Sequence, residues 1–99
     1  MKILVTKKVE DKLSRLEKRY KASFNKFVNL IKGFDDQQLI DYLNSTTKVL
    51  ISRAKIGEIR VYKIGDLRIF LSFTSDREGN RVLLFIDLIL KSVLYKLFS

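Results

Sequence analysis

The hydrophobic period changes once along this chain, and that change restricts the fold more than any other feature. Before Gly33 apolar residues recur every three or four positions; after Glu58 they alternate every two. Val9, Leu13, Leu16 and Tyr20 fall on one helical face, with Lys12, Ser14, Arg15, Glu17, Lys18 and Arg19 between them as a solvated face. Phe24, Phe27, Val28 and Ile31 repeat the spacing, which predicts a second helix capped by Ser23 and ended by a left-handed Gly33. Only Lys21 and Ala22 separate the two patterns, so the expected arrangement is a helical hairpin. Asp35 or Asp36 is expected to cap a short third turn with Leu39, Ile40, Tyr42 and Leu43 inward, and residues 44–47 read as a polar loop.

Strand patterns occupy the rest. Ile3, Leu4 and Val5 form a short first run. Ile59 and Val61 alternate with Arg60 and Tyr62, Gly65–Asp66 makes a turn, and Leu67, Ile69, Leu71 and Phe73 alternate with Arg68, Phe70 and Ser72. After a second turn at Gly79–Asn80, residues 81–90 are apolar at nearly every position, as in a central strand. The order β-α-α-β-β-β predicts an α+β fold, an N-terminal strand and helical hairpin packed on an antiparallel sheet. With no linker or repeat, residues 1–99 read as a single domain.

Composition then limits the chemistry. The chain has neither Cys nor His, so thiol catalysis, Cys-ligated metals and imidazole bases are excluded; no metal or cofactor is expected. Any catalysis falls to Lys, Arg, Tyr, Asp or Glu. Twenty Lys and Arg against 11 Asp and Glu leave a formal charge of +9, which suits a polyanionic partner. Three apolar residues between Lys2 and Thr6 are too few for a signal-peptide core, and no run approaches the ~20 apolar residues of a spanning helix. The expectation is a soluble, cytoplasmic protein without a membrane partner.

The most informative stretch is Ile59-Arg60-Val61-Tyr62-Lys63-Ile64-Gly65-Asp66-Leu67-Arg68-Ile69-Phe70. A basic strand, a Gly-Asp turn, an Arg and an apolar strand, followed by a charged turn and a last apolar strand, resemble the hairpin of the RelE/ParE toxin superfamily. The resemblance implies helices on one side of a sheet and a basic concave face on the other. RelE-like members cleave messenger RNA in the ribosomal A site without a metal, using the 2′-hydroxyl of the RNA as nucleophile. ParE-like members poison DNA gyrase instead, and both are held inactive by an antitoxin protein. By this resemblance Arg68 contacts the scissile phosphate, Lys63 is base or charge stabiliser, and Lys91 or Tyr95 assists the leaving group. Arg53 and Lys55 match a basic loop, while a second strand base of the family falls on Val61 and a basic position on the last strand falls on Leu90. Arg60, beside Val61, should point to the opposite face from Lys63. Lys12, Arg15 and Arg19, on the basic side of the first helical pattern, are candidates for the nucleic-acid backbone, and Tyr62 or Tyr95 for stacking on a base or giving a proton. The alternatives are a non-catalytic nucleic-acid- or protein-binding module on the same fold, from a different class, and a ParE-like gyrase inhibitor.

Overall fold

In the computed structural model the described residues are 1–50 and 58–93. The elements run β1 (Lys2–Val5), α1 (Lys7–Arg15), α2 (Lys18–Lys32), α3 (Asp36–Thr46), β2 (Thr47–Leu50), β3 (Ile59–Ile64), β4 (Leu67–Ser75) and β5 (Arg81–Leu90). The fold is α+β, with the helices on one face of a five-stranded sheet ordered β1-β5-β4-β3-β2. Neighbouring strands are antiparallel except β1, which lies parallel to β5. As its apolar sequence implies, β5 is an inner strand with a neighbour on each side.

The helix boundaries differ from the expected ones for local reasons. The break falls at Leu16 and Glu17, both extended, and not at Lys21–Ala22. Ser23 therefore lies inside α2, where its Oγ donates to the Arg19 carbonyl at 3.0 Å and caps nothing. Thr6 caps α1 by accepting from the Val9 N–H at 3.4 Å. Gly33 ends α2 at φ −79°, ψ −9°, a right-handed conformation in place of the expected left-handed one. Asp35 and Gln38 form a reciprocal capping box at the start of α3. The expected polar loop is instead the last turn of α3 and the start of β2, because the Thr46 and Thr47 hydroxyls bond back to the carbonyls of Tyr42 and Leu43.

Register assigns the faces. Tyr62 pairs with Ile69, Ile64 with Leu67, Leu71 with Phe85 and Phe73 with Leu83, and paired residues share a face. That face meets Val9 of α1, Phe24, Phe27 and Ile31 of α2, and Leu39 and Leu43 of α3 in one core. Tyr62 thus faces the core, contrary to the alternation expected for β3; its ring stacks on Phe27 at 4.1 Å and its hydroxyl meets that of Tyr42 at 2.6 Å. Ile59, Val61, Tyr62 and Ile64 are all apolar enough to lie inward, so alternation alone cannot orient the strand. Gly65, at φ +54°, supplies the left-handed residue that the two-residue β3–β4 turn requires.

A bulge adjusts β5. Phe70 pairs with Asp87 but Leu71 with Phe85, leaving Ile86 unopposed and keeping Phe85 and Leu88 both on the core side. Thr6 donates through Oγ1 to the Ile86 carbonyl at 3.3 Å, and Asp87 receives Lys12 at 2.7 Å and Lys8 at 3.0 Å. These contacts lay α1 along the part of β5 that β1 leaves unpaired. Burial pushes the Asp87 carboxyl up, but hydrogen bonds from Lys12, Lys8 and the Leu88 N–H outweigh it and hold the pKa below the ordinary 3.8. A carboxylate depressed in the folded state stabilises above its unfolded pKa and loses that contribution as pH falls through the folded value. Urea unfolding should therefore show Asp87→Asn less stable than wild type by a constant margin from roughly pH 5 to 8, narrowing below pH 4. A margin independent of pH down to about pH 2 would show that the lysines do not act on this carboxylate.

Candidate nucleic-acid interface

The sheet face turned away from the helices carries Lys63 and Arg68 of the β3–β4 hairpin. Lys63 lies directly opposite Arg68, and Arg68 directly opposite Ile89, so the three form one row across β3, β4 and β5. The next row reads Lys48, Val61, Phe70 and Asp87 across β2 to β5. Lys48 is missed in the sequence because residues 44–47 read as a polar loop and no strand is expected at Thr47–Leu50. It stands beside Val61, the position where the second strand base is missing, and so returns a cation to that part of the face. The β-branched run Thr46-Thr47-Lys48-Val49 was the available signal.

Lys63 and Lys48 are exposed and have no hydrogen-bond or ion-pair partner among the described residues. Arg68 is half-buried, and its Nη1 donates to the Gly65 carbonyl at 2.6 Å and the Leu67 carbonyl at 3.2 Å. The turn thereby fixes the guanidinium beside Lys63. The remaining donors of Arg68 have no partner among the described residues and suit a phosphate. Lys91 joins the same end of the sheet, since its N–H donates to the Asp66 carbonyl at 2.7 Å. The exposed Asp66 carboxylate in the turn weakens the positive field there.

The resemblance led to an expectation of a basic concave face, and the structure corrects this. The bases gather at the β3–β4 end, whereas apolar side chains are buried beyond it: Val61, in the next row, is 9 % exposed, and Val82, opposite Thr74 near the β4–β5 turn, 1 %. Arg60 lies on the helix side, opposite Leu71, as its offset from Lys63 requires. Lys12 is committed to Asp87 and the Leu88 carbonyl. Arg19 pairs with Glu17 at 3.1 Å and covers the Tyr20 ring at 4.6 Å, away from the hairpin. Arg15 is nearer: with Lys12 and Leu16 it borders a groove of about 260 Å³ over Leu88, Ile89 and Leu90, and Ile89 is the neighbour of Arg68. Tyr62 is no proton donor to a ligand, because burial and the Tyr42 contact push its hydroxyl to about 12 and use it in the core. Arg53, Lys55 and Tyr95 lie outside the described residues.

Among the described residues no helix is long and apolar enough to cross a membrane. No protein-family model, curated protein or solved structure matches the chain.

Proposed function

We propose that the protein is a RelE-like toxin, a metal-independent endoribonuclease that cuts ribosome-bound message and so inhibits translation. The observation that carries this reading is the cross-strand pair of Lys63 and Arg68, with Lys48 and the start of the Lys91 segment beside it. In such a cut the 2′-hydroxyl oxygen bonds to the adjacent phosphorus and the bond from phosphorus to the 5′-oxygen breaks. Arg68 stabilises the added charge on the phosphorane, Lys63 accepts the 2′-hydroxyl proton or holds charge, and Lys91 or Tyr95 serves the departing oxygen. Lys48 and Arg15 hold flanking phosphates. The reading implies an antitoxin protein as partner and the cytoplasm as compartment.

The apolar row neighbours Val61, Phe70 and Ile89, together with an Arg68 partly engaged by its own turn, favour a second reading. In it the same face binds RNA or protein without cutting. The nuclease reading and the RNA-binding form of the second both require RNA affinity that falls with salt, whereas a protein-binding face would show none. Each single-strand phosphate neutralised adds about 0.7 to the slope of log affinity against log salt. Fluorescence titration of labelled RNA should show Lys48→Ala and Lys63→Ala each reducing that slope by about this amount, with Lys32→Ala, at the end of α2, leaving it unchanged. Equal slopes in all three variants would remove this face as the RNA contact.

A further inference from the structure

A second basic site lies at the other end of the sheet, on the helix side. Arg60, Phe73, Ser75 and Arg81 share that face by register, and with Met1 and with Ile40 and Asn44 of α3 they border a cleft of about 350 Å³ that is open to solvent. No acidic side chain lines it among the described residues. The Arg60 side chain is 13 % exposed, yet among the described residues its one carboxylate neighbour is Glu58 at 3.5 Å, and Glu58 itself is 70 % exposed. Among the described residues its other contacts are neutral: the Thr47 hydroxyl, which accepts from Nη1 at 3.4 Å while donating to the Leu43 carbonyl, and the Phe73 ring at 5.6 Å. Arg81 is exposed and has no hydrogen-bond or ion-pair partner among the described residues. A largely buried guanidinium with so loose a counter-ion is short of negative charge.

The geometry points to a binding site for a small organic phosphate monoester, held between Arg60 and Arg81. Two guanidiniums arriving from different strands, with the Asn44 amide and Ser75 hydroxyl as further polar groups, match a tetrahedral dianion with three terminal oxygens. A carboxylate offers two oxygens and one charge. The Phe73 ring and Ile40 side chain provide an apolar wall for the organic part. The volume lies at the small-ligand end of the usual pocket range, which excludes a folded partner. The cleft is on the opposite face from Lys63 and Arg68. Arg68 and Ser75 are seven steps apart along β4, about 23 Å at strand rise. The inference is therefore independent of the nuclease reading.

The test is an NMR titration of the full ¹⁵N-labelled chain with inorganic phosphate and with uridine 5′-monophosphate, each to about 10 mM, reaching past the millimolar range of a weak site. Both should saturate the amide shifts of Asn44, Phe73 and Arg81. Arg81→Gln, which alters an exposed side chain, should weaken binding by about tenfold or more, the usual worth of a charged hydrogen bond. Lys63→Gln should bind like wild type. Shifts that do not saturate, an Arg81→Gln titration identical to wild type, or equal loss in Lys63→Gln would each overturn the site.

Discussion

Replacing Arg68 by alanine is expected to slow message cleavage about a hundred- to a thousandfold while leaving the domain folded. The rate effect follows from position. Arg68 sits in one row with Lys63, and its Nη1 is anchored on the Gly65 and Leu67 carbonyls, so its other donors are oriented before substrate arrives. A preorganised cation opposite a developing phosphorane contributes more than a mobile one, because no reorganisation is needed in the transition state. The fold is spared because Arg68 is only half-buried and lies on the face opposite the core residues Leu67 and Ile69. Losing its side chain returns two carbonyls at a turn to water, a cost of about 1 kcal/mol at most. Arg68→Lys keeps the charge but not the planar fork, and should fall between wild type and alanine. Product formation on a defined message measures the rate, and circular dichroism melting checks the fold. A rate unchanged in Arg68→Ala would remove this residue from the chemistry.

The largest expected effect on stability is at Phe85. Its side chain is fully buried, meets the Phe24 ring edge-on at 5.3 Å and stacks near Phe27 at 5.9 Å, so it joins β5 to α2 at the centre of the core. Phe85→Ala should cost about 3–5 kcal/mol, from lost burial plus the cavity left behind. A domain of this size holds roughly 5–15 kcal/mol in total, so Tm should fall by at least about 12 °C. Leu30→Ala, on the exposed side of α2 at 46 % exposure, should stay within about 0.5 kcal/mol of wild type. A loss at Phe85 below about 1 kcal/mol would contradict the placement of β5 against α2.

What the sequence made legible, and what it hid, has physical causes visible at particular residues. The change of period located the helical layer and the β3–β4–β5 meander because β4 and β5 are long and their turns are marked by Gly65 and Gly79, both at positive φ. The break between α1 and α2 was misplaced because Leu16 and Tyr20 both pack on the core, so the apolar spacing runs on through two extended residues that neither Gly nor Pro marks. Strand β2 was hidden by its hydroxyl-rich start, where Thr46 and Thr47 bond to the preceding helix. Missing β2 meant missing Lys48. At the site, the face of Arg68 was readable, since its β4 neighbours alternate cleanly, but that of Tyr62 was not. Lys12 was read as a free surface cation, and only the β5 bulge, a feature without a sequence marker, brings Asp87 to it.

The proposed activity places RNA cutting on the ribosome at the Lys63–Arg68 end of the sheet. The direct measurement maps new 5′ ends on a message in a cell-free translation reaction supplied with wild-type protein or Arg68→Ala. The expected result is new ends within A-site codons with wild type, absent from the untranslated message and from the Arg68→Ala reaction. No new ends with wild type, or the same ends with Arg68→Ala, would contradict it.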